Sequence, residues 1–172
     1  MTEGDCLQRY FLDTNVLLED IEYFTTLPFI ISSVTLAELE NIKTNRNKTE
    51  EVRVAARKAI KWLSDHHGEY EVIVCDEHVC HILSYYGLEE NPDAKICASA
   101  AYAIDKYPDD NIVFVTHDLS CRNIAEKIFK LKVEWFENQK EEIYTGYKLI
   151  SGTTEYINDY MANIDYSKWY VN

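Results

Sequence analysis

The 172 residues carry thirty acids against seventeen bases, a formal charge of −13, with 47% apolar and 27% charged residues. This balance excludes a disordered or fibrous chain. No run approaches the roughly 18 apolar residues of a membrane span, and the acidity argues against gripping nucleic acid by bulk electrostatics.

The length suits one domain, or one domain with a short appendage, large enough to build a core without disulfide or metal staples. Met1 to Asp13 lack the basic-then-apolar order of a secretory leader. Five scattered cysteines, Cys6, Cys75, Cys80, Cys97 and Cys121, form no CxxC. They read as reduced thiols, so a cytoplasmic location is expected.

Gln8–Leu12 reads as the first strand and Val16–Phe24 as a short helix. Pro28–Ser32 (PFIIS) is the second strand, followed by a helix over Leu36–Lys43. The clearest helical pattern runs from Thr49 to Ser64. Val52, Ala55, Ala56, Ala59, Ile60 and Leu63 share one face, and Arg53, Arg57 and Lys61 lie on another. Asn47 and Thr49 are candidate caps, and Glu50 and Glu51 favour the first turn. Glu71–Cys75 (EVIVC) is the third strand and Glu77–Tyr86 a helix. Pro92–Lys106 is a helix with proline at a tolerated first-turn position. Asn111–Thr116 (NIVFVT) is the fourth strand, Ser120–Phe129 a helix, and Lys132–Phe136 (KVEWF) the fifth strand.

These strands are short, rich in Val, Ile and aromatics, and lack clean alternation, as strands covered on both faces do. Strands alternating with helices predict a three-layer α/β fold. The pattern weakens after Gln139. Six of the thirteen tyrosines (Tyr144, Tyr147, Tyr156, Tyr160, Tyr166 and Tyr170) fall in the last 29 residues, broken by Gly146 and Gly152. A domain over residues 1–142 and an extension over 143–172 are therefore expected.

The bases are concentrated. Lys43, Arg46, Lys48, Arg53, Arg57, Lys58 and Lys61 face only Glu50 and Glu51 within one segment, a local +5 that leaves −18 on the rest of the chain. Such a run is commonly a solvated helix face; here Arg46, Lys48, Arg53 and Arg57 are also candidates for phosphate-backbone contacts, which position a strand without reading its sequence.

In open α/β sheets ligands bind beyond the carboxyl ends of the strands. The first strand runs into Asp13-Thr14-Asn15 and the fourth into Thr116-His117-Asp118. The second leads to a helix bearing Glu38 and Glu40, and Asp93 opens the helix after Asn91-Pro92. Each acid has a plain structural alternative: Asp13, Asp93 and Asp118 as helix-terminus acids, Glu38 as a solvated helix residue. Four at one edge are harder to explain that way, because clustered carboxylates repel unless cations pair them. Oxygen ligands suit Mg²⁺ or Mn²⁺, and two such ions clamp the attacking and leaving oxygens of a phosphodiester.

The ordered strings FLDTNVLL (Phe11–Leu18), SSVTLAELENIK (Ser32–Lys43), NPDAKICASA (Asn91–Ala100) and FVTHDLSCRNIAEK (Phe114–Lys127) resemble the PIN-domain nuclease family over about residues 7 to 137. The resemblance implies a Rossmann-like α/β/α fold with a central five-stranded parallel sheet. It also implies a Mg²⁺- or Mn²⁺-dependent endoribonuclease acting on single-stranded RNA and leaving 5′-phosphate and 3′-hydroxyl ends. Asp13, Glu38, Asp93 and Asp118 match the family's catalytic, metal-holding acids, with Glu40 a rival to Glu38; helical geometry lets only one of the two face the site. Thr14, Asn15 and Asn123 are expected to orient the ligands, and Arg122 to join the RNA-binding residues. The Lys43–Lys61 segment and Tyr144-Thr-Gly-Tyr147 look most like PIN domains fused to PhoH-type ATPases, although the chain carries no GxxxxGK[ST] loop. An ATPase domain in a longer parent chain and a homodimer are the further partners this implies.

Other signals are weaker. Cys75, His78, Cys80 and His81 match no standard zinc spacing. A phosphatase would need a second carboxylate that Asp13-Thr14-Asn15 lacks. The alternative of another class is a non-catalytic PIN-like module that binds RNA or scaffolds a partner.

Overall fold

A computed structural model describes residues 7–19, 21 and 26–134. The expected extension at 143–172 lies outside them, as does the end of the predicted fifth strand. Five strands, β1 (Gln8–Leu12), β2 (Phe29–Ser32), β3 (Tyr70–Ile73), β4 (Asn111–Val115) and β5 (Val133–Glu134), form one parallel sheet in the order β3-β2-β1-β4-β5. The helices are α1 (Thr14–Glu19), α2 (Ser33–Thr44), α3 (Glu50–Asp65), α4 (Glu77–Tyr85), α5 (Pro92–Lys106) and α6 (Leu119–Asn123). A π-helical turn, Ile124–Ile128, continues α6.

Two hydrophobic clusters account for the three layers. Successive side chains of a strand point to opposite faces. Phe11, Ile30 and Phe114 enter one cluster with Val79, Leu83, Ile96 and Ala125 of α4, α5 and the π turn. Their neighbours Leu12, Ile31 and Val115 enter the other with Val16, Leu39, Ala59 and Leu63 of α1, α2 and α3. Both faces are covered, which is why the strands read as unbroken apolar runs. At about 1.5–3 kcal/mol for each large apolar side chain fully buried, these clusters dominate the stability.

Local chemistry sets most boundaries. The α3 helix starts where the Thr49 side chain accepts from the Val52 N–H, with Glu50 and Glu51 in the first turn. Asn91 caps α5 by accepting from Ala94 N at 2.8 Å, and Pro92 fills a first-turn position that needs no N–H. The small residues Ala94, Cys97, Ala98, Ser99, Ala100 and Ala103 let α5 sit buried against the sheet.

Several boundaries differ from expectation: α1 begins at Thr14 rather than Val16, and β3 spans Tyr70–Ile73 rather than Glu71–Cys75. The α2 helix begins at Ser33 rather than Leu36, because the Ser32 side chain accepts from Val34 N and caps it early. The expected helix over 120–129 is α-helical only to Asn123; Phe129 N then bonds Ile124 O, the wider π spacing, before Lys130 turns left-handed at φ 58°.

The order of strands places the site. From β1 the chain moves outward through β2 to β3, then crosses back to lay β4 on the other side of β1. The reversal opens a crevice beyond the carboxyl ends of β1 and β4, the position where doubly wound folds bind ligands.

Candidate active site

Asp13 stands at that reversal, directly after β1, and is 3% exposed. Its backbone N–H still pairs with Val115 O of β4, so the carboxylate is fixed to both strands. One oxygen accepts from the Thr14 N–H at 2.6 Å and the other from the Thr116 hydroxyl at 2.7 Å. Burial nonetheless raises its pKa to about 6. The two hydrogen bonds oppose that shift, and the negative charges of Asp93 and Glu38 add to it.

Glu38, on the face of α2 turned towards β1, accepts a short hydrogen bond from the Thr14 hydroxyl. Burial raises its pKa and Asp93 adds to the rise, while Thr14 and Lys48 hold it down. Glu40, the rival, is exposed and pairs with Lys43 at 2.6 Å. Asp93, in the first turn of α5, is raised by burial and then by Asp118. Asp118 caps α6, its carboxylate accepting from Cys121 N at 2.9 Å, and its own N–H donates to Thr116 Oγ at 3.0 Å.

Three of these acids, Asp13, Glu38 and Asp93, line a single cleft of about 260 Å³ together with Thr14 and Asn15. Asp118 is close enough to Asp93 to perturb it but lies outside that lining. Among the described residues no three His, Cys, Asp or Glu side chains are grouped as a ready-made cage for an ion. The donor set still suits one kind of ion. Mg²⁺ keeps several waters and takes one or two carboxylates rather than a closed protein cage, and raised carboxyl pKa values mark charges that a cation would relieve.

A PIN domain family model matches residues 10–134. The chain belongs to the PIN domain family. Several solved structures are similar to it. VapBC-5, a member of the VapBC family of toxin–antitoxin systems from Mycobacterium tuberculosis, is 20% identical with a TM-score of 0.48, covering 74% of this chain and 97% of that one. FitAcB from Neisseria gonorrhoeae is 19% identical with a TM-score of 0.46, covering 72% and 95%. A domain of a functionally unknown protein from Methanocaldococcus jannaschii is 21% identical with a TM-score of 0.48, covering 84% and 99%. No curated protein matches the sequence. The family model gives the PIN family without the PhoH-type subgroup.

Within this PIN domain the remaining expected residues divide. Asn15 lines the cleft, and Asn123 lies exposed on α6. Lys48 is the one expected RNA-binding base that lines the cleft; Arg46 is exposed on the loop before it. Arg53 and Arg57 both pair with Glu50, the latter at 2.5 Å, and Arg122 pairs with Glu126 at 2.9 Å, so much of their charge is already answered. His117 turns towards α1, its Nδ1 3.3 Å from Glu19.

Thr116, Asn41 and Asn45 were not singled out in the sequence, and all three belong to this region. Thr116 had a readable signal: a hydroxyl ending a buried strand needs a partner, and the nearest acid ends the neighbouring strand. Beneath the acids, Cys97 of α5 and Cys121 of α6 bring their sulfurs within 3.3 Å, both fully buried. The contact with Cys97, then burial, pushes the Cys121 thiol far up. Such a thiol is unreactive and serves to pack the helix carrying Asp93 against the one capped by Asp118.

Proposed function

We propose that this PIN domain is a Mg²⁺- or Mn²⁺-dependent endoribonuclease that cuts single-stranded RNA in the cytoplasm. The observation that supports it is the meeting of Asp13, Glu38 and Asp93 in one cleft at the reversal of strand order, with burial raising all three and a neighbouring carboxylate adding to each rise. Asp13, Glu38 and Asp93 would hold the metal, with Asp118 reaching it from the side of Asp93. When bound, the metal polarises a phosphodiester and lowers the pKa of a water.

The chain's own groups prepare that chemistry. Thr14 and Thr116 donate to Asp13, and Thr14 also to Glu38, so the carboxylates are oriented before anything binds. Asn15 offers a neutral donor and acceptor at the cleft wall. Lys48 offsets the negative charge of Glu38 and faces an incoming phosphate; Arg46, Arg53, Arg57 and Arg122 supply outer backbone contacts. A partner ATPase domain of PhoH type, on the sequence of the Lys43–Lys61 segment and Tyr144-Thr-Gly-Tyr147, and a homodimer, on the family resemblance, remain part of this reading.

One observation favours a second reading. Asp13, Glu38 and Asp118 already spend oxygens on Thr14, Thr116 and Cys121, as they would in a non-catalytic module that binds RNA or a scaffold partner.

Cleavage of labelled single-stranded RNA with Mn²⁺, against EDTA and against the Asp13→Asn/Asp118→Asn protein, separates the two. Cleavage lost in both controls supports the nuclease. Thermal unfolding adds a metal readout: at a hundred times Kd, Mn²⁺ would stabilise the chain by about 2.7 kcal/mol. Stabilisation without cleavage points to a competent site that lacks its substrate or partner, and absence of both effects favours the module.

A further inference from the structure

The cleft that holds Asp13 and Asp93 is lined by different chemistry as well. Asn41 of α2, one turn beyond Glu38, and Asn45, which caps the end of that helix, line it together with Lys48. Among the residues lining the cleft Lys48 is the only base. Lys43 pairs with Glu40, and Arg53 and Arg57 with Glu50, so these three are engaged elsewhere, and Arg46 is exposed on the loop outside the lining.

Lys48 is put there by Asn45. The Asn45 N–H closes α2 on Asn41 O at 2.9 Å and Ile42 O at 3.3 Å. Its side-chain oxygen accepts from Asn47 N at 2.9 Å, an Asx turn, and its carbonyl accepts from Lys48 N at 3.2 Å. One residue thus ends the helix and folds the chain back, so that Lys48 reaches the cleft before Thr49 caps α3.

A polyanion approaching three carboxylates in a chain of net charge −13 needs positive charge at more than the reacting phosphate. We infer that Asn41, Asn45 and Lys48 form a nucleotide subsite beside the acids. In it Lys48 holds the phosphate next to the one that is cut, the Asn41 carboxamide hydrogen-bonds the nucleotide between them, and Asn45 positions Lys48. This rests on the nuclease reading and sharpens it: the substrate must carry a second phosphate on the α2 side.

Two measurements on the full chain test it. The first is binding of fluorescein-labelled single-stranded RNA in EDTA, by anisotropy across a salt series. Lys48→Ala should weaken binding about five- to tenfold and reduce the slope of log K against log salt by about 0.7, one phosphate contact on a single strand. Asn45→Ala should weaken binding in the same direction, and Asn45→Ser, whose hydroxyl can take over the turn, should restore it.

The second is Mn²⁺-dependent cleavage of a trinucleotide and of a dinucleoside monophosphate. Lys48→Ala should raise KM for the first by a larger factor than for the second, whose single phosphate lies at the acids; a change shared by both substrates reports the charge lost beside Glu38. Lys48 is exposed, so the variant should fold as the parent does. Unchanged binding and KM in Lys48→Ala, with the parent protein cleaving, would overturn the subsite and leave the nuclease standing. A parent protein that neither binds nor cleaves would overturn both. Failure of Asn45→Ser to restore what Asn45→Ala loses would remove the positioning role of Asn45.

Discussion

The two ends of the sheet use the same residue types to opposite effect. At the amino end, Arg9 of β1 bridges Glu71 of β3 at 2.7 Å and Asp110, just before β4, at 3.0 Å, and the Tyr107 hydroxyl also donates to Glu71. The Tyr107 hydrogen bond, then Arg9, holds the Glu71 carboxyl below its ordinary range. At the carboxyl end, Asp13, Glu38 and Asp93 face one another across a cleft, and all three are raised. One end spends its charges on holding strands together. The other keeps charges that cost stability, as functional sites do when the surrounding core over-determines them.

The largest expected effect is at Asp13. Asp13→Asn should lower cleavage by on the order of 10³ while leaving the fold intact. It should also stabilise. Between about pH 4 and pH 6 the folded chain keeps a proton on Asp13 that the unfolded chain has released, so stability falls as pH rises through that window. Above it the cost is fully present. The variant should therefore unfold later than the parent at pH 7.5, by about 1–3 kcal/mol, with the gain vanishing below pH 4. Thermal unfolding at both pH values checks this; equal stability at pH 7.5 would mean that Asp13 carries no such cost.

Thr116→Val comes next. It keeps the shape of the strand end but removes a donor to Asp13 and the acceptor for Asp118 N. Cleavage should fall about 10- to 100-fold. The acid limb of the pH–rate profile should move to higher pH, because one of the bonds that lowers the Asp13 pKa is gone. A profile that keeps its position would show that Thr116 only fills space.

The smallest effect belongs to the other end. Arg9→Met should cost about 1 kcal/mol at neutral pH, in the range of partly exposed ion pairs, and leave kcat and KM unaltered. The loss should shrink in acid as Glu71 protonates, since a lowered carboxyl contributes stability above its unfolded pKa and loses it as pH falls. A change in cleavage with Arg9→Met would break the separation between the two ends.

Much of the fold was legible because its determinants are local. Gln8–Leu12 and Pro92–Lys106 match the expected elements residue for residue. The first has apolar residues with no alternation to interpret, and the second has an Asn-Pro start that leaves little choice. The π turn after Asn123 was not legible, because apolar spacing over 120–129 suits an α-helix and the wider turn appears only against the packed core. Asp13, Asp93 and Asp118 were legible as residues that follow strands or open helices, and Glu38 only as one of a pair with Glu40.

What the sequence determined by itself is therefore what operates within a few residues: strand and helix periods, the caps at Thr49 and Asp118, and the concentration of bases between Lys43 and Lys61. Only the tertiary structure decided that Glu38 rather than Glu40 faces Asp13, that Thr116 from β4 holds a carboxylate on β1, and that Lys48 rather than Arg53 or Arg57 lines the cleft. Those facts depend on which strands become neighbours and how helices pack across them. Distant segments settle that together by burying apolar surface, and no local pattern records it.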